Sequence, residues 1–451
     1  MSGYAEYREV NLPWLKAVPA HWEIRRNKNI FTEQKEIVGE RSADYTLLSL
    51  TLNGIIPRDM DGGGKFPESF DKYRIVKNGD MAFCLFDIDE TPRTVGLSDY
   101  NGMLTGAYTI MRVSNINARF IYYYYLALDN GKMLRPLYTG LRKTININTF
   151  QSTKVPVPPR EEQDQIVRFL DWKISSINKL INIKKKEIKA IDALKRSTVS
   201  HAITRGLTAD APMKYSGVKW LGDIPAHWNV TKLRQILHPV SEKNHPEFPL
   251  LSVVREQGVI LRDVEDKEAN HNFIPDDLSG YKVVRKGQFA MNKMKAWQGS
   301  YGVSDYTGIV SPAYFIFDIA FENLEYFHYA IRSKVYVNFF AQASDGIRVG
   351  QWDLQMDKMK EIPFIVPPAD EQIAIVKYIK QALPQYDAAI EKLTEEVAVL
   401  EEYKNKVIAD AVTGKIDVRG IEIPEYEFVD EDNDNVDENL EQGADEPPEE
   451  E

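Results

Sequence analysis

Basic and amide side chains in turn-like segments are the residues of this chain best suited to contact nucleic acid. They form two groups of five, one in each half of the sequence: Lys65, Arg93, Arg142, Lys143 and Asn146, then Lys293, Lys295, Gln298, Arg348 and Gln351. Arginine and lysine match the acceptor atoms of guanine, asparagine and glutamine match adenine, and all four residue types can hold phosphate oxygens. These ten positions are the predicted DNA-contacting residues.

Patterns typical of catalysis or of metal binding are weak in this sequence. Residues 61–65 (DGGGK) lack the residue order of a phosphate-binding loop. No glycine-rich dinucleotide motif follows a strand, no Asn-Pro-Pro-Tyr-type methyltransferase motif occurs, and Glu-x-Lys triplets of this kind are common by chance. His21 and His227 have no His or Cys neighbour to complete a metal site, so we expect them to pack or hydrogen-bond. The sequence therefore predicts no catalytic residue, no metal and no cofactor in this chain.

The charge of the chain is concentrated at one end. The formal net charge is −11, but residues 425–451 hold fourteen Asp or Glu and no Lys or Arg. Without those fourteen negative charges, residues 1–424 carry a net charge of +3, which suits a nucleic-acid partner better than the total does. Residues 421–451 are predicted to be a disordered acidic tail.

Cysteine usage and hydropathy indicate the compartment. The single cysteine, Cys84, excludes a disulfide framework and favours a reducing environment. The most apolar stretch, residues 120–128, is far shorter than the ~20 residues of a membrane span. We expect a cytoplasmic protein without a membrane partner.

The sequence contains an internal repeat. Three segments recur in the same order: residues 14–22 (WLKAVPAHW) as 220–228 (WLGDIPAHW), 96–100 (GLSDY) as 302–306 (GVSDY), and 158–163 (PPREEQ) as 367–372 (PPADEQ). The offset is 206 residues for the first two segments and 209 for the third. A tandem duplication of one globular domain followed by one helix accounts for this order.

An apolar stripe follows each Pro-Pro segment. Its residues recur at steps of three and four, which places them on one face of a helix. They are Val167, Leu170, Ile174, Ile177, Ile181, Ile188 and Ile191, and then Val376, Ile379, Leu383, Tyr386, Ile390, Leu393, Val397 and Leu400. Two helices with matched stripes are predicted to pair antiparallel as a coiled coil. Gly206 and Gly414 are the predicted helix ends, and Pro384 is predicted to kink the second helix.

Short β-like patterns bounded by Gly, Asn, Asp or Pro fill each globular part, while residues 120–128 and 324–332 have a helical pattern. We therefore predict an α+β fold: two pseudo-symmetric mixed α/β domains with mainly antiparallel sheets, separated by an antiparallel pair of long coiled-coil helices. The predicted boundaries are 1–157 for the first globular domain, 158–207 for the first helical region, 208–366 for the second domain, 367–420 for the second helical region and 421–451 for the tail.

Duplicated motifs give the chain a family resemblance. Trp-Leu-x3-Pro-Ala-His-Trp opens each half, Pro-Pro-x2-Glu-Gln precedes each helix, and residues 411–418 read AVTGKIDV. In this order the motifs resemble the specificity subunit of type I restriction–modification enzymes, over nearly the whole chain up to about residue 420. The acidic tail is not part of that family pattern.

The resemblance implies a DNA-recognition subunit without chemistry of its own. Each globular, target-recognition domain would read one half of a split asymmetric site in double-stranded DNA. The helices would set the gap and dock two modification subunits, which carry adenine methylation with S-adenosylmethionine. Restriction subunits, expected to number two, would use ATP and Mg to translocate and cleave DNA. Two alternatives remain open from the sequence: a self-sufficient enzyme, and a coiled-coil scaffold that binds proteins only.

Overall fold

The computed structural model describes residues 2–52, 54–58, 67, 69–138, 143–263, 274–275, 277–348 and 351–431. The chain divides into two compact units. Unit 1 comprises residues 1–186 and 394–451, and unit 2 comprises residues 187–393. Both divisions fall inside long helices rather than at the boundaries predicted from the sequence, and the target-recognition role of the two globular parts stays a prediction.

The globular part of unit 1 contains short strands and two helices. Its strands are β1 (Tyr7–Leu12), β2 (Leu15–Pro19), β3 (Glu23–Arg26), β4 (Phe31–Gln34), β5 (Leu48–Thr51), β6 (Gly54–Pro57), β7 (Arg74–Val76), β8 (Asp80–Phe83), β9 (Val95–Leu97), β10 (Gly102–Leu104), β11 (Thr109–Val113) and β12 (Lys154–Val157). Its helices are α1 (Ala118–Asn130) and α2 (Ile147–Ser152), followed by the long α3 (Arg160–Arg205), which continues into unit 2. The largest sheet has the strand order β4-β11-β8-β9.

Unit 2 repeats this arrangement. Its strands are β13 (Met213–Tyr215), β14 (Asp223–Pro225), β15 (Asn229–Lys232), β16 (Leu237–Val240), β17 (Leu251–Val254), β18 (Gly258–Leu261), β19 (Lys282–Val284), β20 (Phe289–Asn292), β21 (Tyr301–Val303), β22 (Gly308–Val310), β23 (Tyr314–Ile319), β24 (Ser344–Arg348), β25 (Gln351–Leu354) and β26 (Pro363–Val366). Its helices are α4 (Leu324–Ile331), α5 (Lys334–Gln342) and α6 (Met356–Lys360), followed by the long α7 (Ala369–Val412), which continues into unit 1. The largest sheet has the order β16-β23-β20-β21, strand for strand the counterpart of the sheet in unit 1.

The α+β fold class predicted from the sequence is therefore confirmed. Every pairing between the named strands is antiparallel. The two segments with a helical pattern are α1 and α4, and each begins at an asparagine whose side chain accepts backbone N–H groups, Asn117 in unit 1 and Asn323 in unit 2. Such caps satisfy N–H donors that the first turn of a helix leaves free.

Aromatic rings build the core of each unit. In unit 1, Phe83 packs edge-on against Tyr125, with ring centroids 5.1 Å apart, and Phe150 lies beside both. In unit 2, Phe289 packs edge-on against Phe327 at 5.8 Å. All five rings are at most 1% exposed, and burying each one contributes about 2–3 kcal/mol to folding.

The two long helices pair antiparallel, as the sequence predicted. In unit 1, Lys184 Nζ lies 2.9 Å from a Glu396 carboxylate oxygen, and the ammonium of Lys404, eight residues further along α7, meets Asn178 of α3. In unit 2, the hydroxyls of Thr198 and Tyr386 are 3.0 Å apart. Residue numbers rise along α3 as those of their partners fall along α7, which defines the antiparallel direction.

The predicted stripe residues are among the less exposed positions of α3 and α7. Each of the fifteen positions is buried or half-buried, although α3 and α7 are otherwise largely exposed in their middle turns. In unit 1, Ile177 and Ile181 of α3 form a small apolar cluster with Val397 and Leu400 of α7. In unit 2, Val376 and Ile379 join the core of the globular part, and Leu383 packs against it.

One helix prediction is wrong. Pro384 was expected to divide the second helical run into a short helix near 370–382 and a longer one near 385–412, but α7 runs without a break from Ala369 to Val412 with Pro384 inside it. A proline removes one backbone hydrogen bond and crowds the preceding turn. Ile379 is fully buried and Leu383 packs on the unit 2 core, and we attribute the continuity of the helix to this packing. The predicted ends hold: α3 stops before Gly206 and α7 just before Gly414, both with positive φ.

The segment after α7 differs from the expected disordered tail. Residues 421–431 run along the long helices of unit 1, where Ser175, Asn178 and Asn182 of α3 hydrogen-bond to their backbone. Residues 432–451 lie outside the described part of the chain. Among the described residues, no helix is long and apolar enough to cross a membrane.

Candidate nucleic-acid interface

The five candidate positions of unit 2 come together in the fold. Lys293, Lys295 and Gln298 lie in the connection that follows β20, and the backbone N–H of Leu354 donates to the carbonyl of Lys293. That bond joins the connection to the hairpin β24–β25, where Arg348 is paired opposite Gln351. For Arg348 and Gln351 the structure describes the backbone only. About fifty residues separate these two segments in the sequence, so their proximity could not be predicted from it. The hairpin β24–β25 brings residues 348–351 next to residues 293–298.

Side chains in this part of unit 2 are accessible and mostly cationic. Lys295 is exposed, Gln298 is half-buried, and Lys293 lies 3.3 Å from an Asp353 carboxylate oxygen. Beside them the rings of Trp297 and Trp352 pack with centroids 5.7 Å apart, and Trp352 is 37% exposed. An exposed indole next to lysines can stack on a base or cover a sugar while the ammonium groups hold phosphates. Sequence reasoning did not identify either tryptophan, although Trp352 directly follows the candidate Gln351.

The candidate positions of unit 1 occupy the corresponding segments. Residues 85–94 adjoin residues 143–146, because the N–H of Ile145 donates to the carbonyl of Leu85 and Phe86 bridges to Thr144. Lys143 has a positive φ and contacts Glu90 at 2.6 Å and Asp89 at 3.5 Å. The hydrogen bond to Glu90, with the charges of both carboxylates, raises the pKa of Lys143. Lys65 and Arg142 lie outside the described residues.

Arg93 and Asn146 have contacts within unit 1. The Arg93 guanidinium is 15% exposed and hydrogen-bonds to Asp129 and Asn130 at the end of α1. Asp129 also accepts the N–H and hydroxyl of Thr94, so the pair fastens this loop to α1. The Asn146 side chain caps α2 while remaining exposed. Of the three described candidates in unit 1, Lys143 and Asn146 therefore face solvent, and Arg93 is engaged inside the fold.

A second repeated feature anchors the start of each long helix. Glu162, 5% exposed at its side chain, accepts the Trp22 indole N–H at 2.9 Å and the Tyr4 hydroxyl at 2.5 Å, and it contacts His21 Nε2 at 2.7 Å. Burial, with the hydrogen bond to Glu162, raises the pKa of Tyr4, so its hydroxyl stays a donor. Trp22 and its repeat counterpart Trp228 are the most deeply buried tryptophans among the described residues. His21 hydrogen-bonds, as the sequence predicted.

Unit 2 contains the counterpart of this anchor. Glu371 accepts the Trp228 indole N–H at 3.0 Å and contacts His227, and its side chain is 34% exposed. In each unit the glycine that follows a long helix packs on the tryptophan of the anchor: Gly206 lies against Trp228, and Gly414 lies against Trp22. The repeated His-Trp and Glu-Gln motifs were the sequence signal for this contact, but only the fold shows that they meet.

Each unit also contains one cleft of the same construction, between the globular part and the paired helices. Cleft 1, of about 430 Å³, is lined in unit 1 by Tyr123, Ile174, Lys404, Asn405 and Ile408, together with Phe428 and Glu431 of the segment after α7. Cleft 2, of about 440 Å³, is lined in unit 2 by Tyr329, Leu383, Lys195, Arg196 and Val199. Tyr329 is the counterpart of Tyr123 at the 206-residue offset, and the other four correspond at 209. The duplication has therefore preserved the cleft as well as the sheet.

His328, a half-buried residue of cleft 2, is expected to make unit 2 sensitive to pH. Burial, reinforced by the charge of Arg332, lowers the pKa of His328 to about 4 from 6.5, and its Nδ1 accepts the N–H of Val303. The pKa of His328 is lower in the folded state than in the unfolded state, so this histidine does not reduce the unfolding free energy at pH values above about 6.5. As the pH falls from about 6.5 towards 4, the unfolded state binds a proton that the folded state does not, and unit 2 loses unfolding free energy. We expect unit 2 to lose about 2–3 kcal/mol of unfolding free energy between pH 7 and pH 4.5.

Urea unfolding at a series of pH values, followed by tryptophan fluorescence, measures this loss. The variant His328→Gln has no group titrating at this position and should show a shallower pH dependence over the same range. Identical slopes for the two proteins would contradict the assignment to His328.

Comparison with known proteins shows which family this chain resembles. The sequence profile of the type I restriction modification DNA specificity domain matches residues 83–190, which run from the end of β8 through α1 and α2 into α3. The specificity subunit of the type I restriction enzyme MjaVIII of Methanocaldococcus jannaschii is 24% identical over 446 residues, covering 92% of this chain and 98% of that protein. The chain thus contains a match to the type I restriction modification DNA specificity domain, and over nearly its whole length it is similar to a type I specificity subunit.

A solved structure supports the fold of this chain. It is described as the structural basis of complex assembly and conformational transition of the type I R-M system, and one of its chains covers 88% of this chain over 99% of its own length. The TM-score is 0.56 at 14% sequence identity, so this likeness concerns the fold alone. The family profile and the Methanocaldococcus jannaschii relative confirm the resemblance stated from the duplicated motifs, while the individual DNA contacts stay predictions.

Proposed function

We propose that this chain is a specificity subunit that reads DNA sequence for a type I complex and performs no chemistry of its own. The globular part of each unit would read one half of a bipartite, asymmetric site in double-stranded DNA. The observation that carries this proposal is that both units build a surface from corresponding segments, residues 85–94 with 143–146 in unit 1 and residues 293–298 with 348–354 in unit 2, and expose different side chains on it: Lys143 and Asn146 in unit 1, Lys295 and, half-buried, Gln298 in unit 2. Surfaces with different hydrogen-bonding groups suit two different half-sites.

The paired helices would have two tasks in this proposal. They would fix the gap between the half-sites, and they would dock two modification subunits that bind S-adenosylmethionine and methylate adenine. Two restriction subunits using ATP and Mg would complete the cleaving complex. The continuity of α3 and α7 across the unit boundaries supports the first task, because a continuous helix transmits a fixed rise of about 1.5 Å per residue.

A footprinting experiment tests the proposal. The specificity subunit with its modification partner is expected to protect two short blocks of sequence separated by an unprotected gap. Its affinity should fall steeply with salt, because lysine and arginine contacts to phosphates release counterions. One continuous protected block would contradict the bipartite assignment. Binding insensitive to salt would favour a scaffold for proteins only, and methyl transfer by this chain alone would show an enzyme.

Arg348→Ala is expected to weaken binding through one half-site only. If Arg348 contacts a base edge, its loss costs about 1–3 kcal/mol, or roughly tenfold in affinity for DNA carrying the intact site. Mobility-shift titrations against DNA with either half-site scrambled measure the effect. The variant should resemble the parent when the second unit's half-site is already scrambled.

Lys143→Ala is the matched control in unit 1. It should show the reverse pattern, losing affinity only when the first unit's half-site is intact. Equal losses at both half-sites for either variant would show that the residue had been assigned to the wrong unit.

A further inference from the structure

The chain segment that follows α7 is held by one face of α3 in unit 1. The Ser175 hydroxyl donates to the carbonyl of Glu427 at 3.0 Å and accepts the backbone N–H of Val429 at 2.9 Å. One side chain thus spans two residues of an extended segment, residues 427–431. We call this segment the strap.

Two amides continue the same row of contacts. Asn178 donates to the carbonyl of Val429 at 3.2 Å, and Asn182 donates to the carbonyl of Asp430 at 2.8 Å. With Ser175, these residues are spaced by three and four and therefore lie on one helix face. We call Ser175, Asn178 and Asn182 the polar row; the strap runs along it in the direction of α3.

Two lysines hold the acidic end of the strap. The Glu431 carboxylate contacts Lys185 Nζ at 2.6 Å and Lys404 Nζ at 2.5 Å, so one ammonium comes from each long helix. Burial acts to raise the pKa of Glu431, but the hydrogen bonds and charges of the two lysines outweigh it and lower the pKa. The carboxylate is therefore ionised at neutral pH and paired on both sides.

The polar row is unusual for its position. Ser175, Asn178 and Asn182 are 2%, 5% and 6% exposed, beside the apolar contacts of Ile177 and Ile181. Buried polar groups without partners destabilise a fold, and here the backbone of the strap supplies the partners. Pairing of α3 with α7 does not account for these three polar side chains, whereas hydrogen bonding to the strap does.

The duplication provides an internal comparison. At the 209-residue offset, the polar row corresponds to Pro384, Asp387 and Glu391 of α7. None of these side chains donates hydrogen bonds at neutral pH, and two of them would repel an acidic segment. Cleft 2 is lined only by residues between 192 and 383, whereas cleft 1 includes Phe428, Asp430 and Glu431.

We propose that cleft 1 with the polar row is a binding groove for an extended acidic peptide, and that the chain's own residues 427–431 are its resident, removable ligand. Recognition has two parts: side-chain hydrogen bonds to the peptide backbone, and the lysine pair that requires a carboxylate at the position of Glu431. Phe428, which is half exposed, lines the cleft mouth and adds apolar contact. A partner that uses this face of unit 1 must first displace the strap.

Removability follows from the kind of contacts made. The described strap residues join no β-sheet, and side-chain hydrogen bonds and ion pairs hold them in place. Such contacts are individually modest, and the ion pairs weaken with added salt. The strap is therefore expected to exchange between bound and released states without unfolding unit 1.

The experiment releases the strap by changes in the strap alone and then offers it back as a separate peptide. In the full chain, Phe428→Ala combined with Glu431→Lys weakens the resident segment and leaves all helix residues intact. The probe is a fluorescein-labelled peptide with the sequence of residues 424–434 (PEYEFVDEDND). By fluorescence anisotropy, the released variant should bind one peptide per chain at least tenfold more tightly than the parent chain, whose groove is filled.

Three controls locate the binding to the groove. Asn178→Ala with Asn182→Ala, added to the released variant, should reduce peptide affinity at least tenfold, while Glu391→Ala at the corresponding place in unit 2 should leave it unchanged. A peptide carrying the change Glu431→Lys should bind the released variant at least tenfold more weakly. Unchanged thermal unfolding of each variant excludes a general loss of structure.

The proposal is overturned if the released variant binds the peptide no better than the parent chain, or if substituting Asn178 and Asn182 has no effect. Two peptides per chain would place a second site elsewhere and remove the distinction from unit 2. None of these measurements involves DNA or another subunit, so they stand apart from the proposed role in DNA recognition.

Discussion

Glu162→Ala is expected to lower the unfolding free energy of unit 1 by about 3–5 kcal/mol. The substitution leaves the buried Tyr4 hydroxyl and Trp22 indole N–H without their acceptor, and each buried donor without a partner costs about 1–3 kcal/mol. The loss of the contact with His21 adds to this. Scanning calorimetry should show the transition that contains unit 1 moving down by roughly 10 °C.

Glu371→Ala is the matched control in unit 2. Glu371 serves His227 and Trp228 but is 34% exposed, so water can replace it more readily than it replaces Glu162. The expected loss is about 1–2 kcal/mol. Equal losses for the two variants would show that burial does not set the strength of this repeated anchor.

Matched lengthening of both long helices is expected to change the gap in the recognised DNA. Seven residues inserted after Lys186 in α3 and seven after Leu393 in α7 keep the stripe in phase and add about 10 Å to each helix. At about 3.4 Å per base pair, the preferred gap should grow by about three base pairs, with both half-sites unchanged. Selection of bound sequences from a randomised-gap library measures this directly.

An insertion in α3 alone is the control for the matched pair. It shifts one helix against the other, so the contact of Lys184 with Glu396 before the insertion and that of Thr198 with Tyr386 after it cannot both re-form. The single insertion should destabilise the chain and weaken binding of the original site by about 100-fold, which is the share of specific affinity that one lost half-site would carry. An unchanged gap after the matched insertion would refute the role of the helices in setting it.

The architecture was predictable because the duplication is visible in the sequence. Residues spaced by three and four lie on one helix face whatever surrounds them, so Ile177, Ile181 and Val397 predict a paired helix before any fold is known. Glycines at the helix ends and asparagine caps are equally local signals. The error at Pro384 has the opposite origin, because its local preference for a break is outweighed by packing of the surrounding turns in unit 2.

The sites depend on long-range contacts and were less accessible to sequence reasoning. Lys293 and Gln351 are far apart in the chain, and only the hairpin β24–β25 brings their segments together. Arg93 looked like an accessible cation because its segment is turn-like, yet Asp129 on α1 engages it. The acidic composition of the chain end predicted disorder, whereas the placement of residues 427–431 depends on three side chains about 250 residues earlier.

Ser175, Asn178 and Asn182 have an evolutionary consequence. Their side chains are buried with the strap in place, and the strap backbone supplies their hydrogen-bond partners. Deleting the terminal segment in a descendant would remove selection for hydrogen-bonding side chains at those three positions, and substitutions there would in turn relax selection on the terminal sequence. Related proteins should therefore keep or lose the polar row and the terminal segment together. No such correlation is expected at the corresponding positions of the second repeat, 384, 387 and 391.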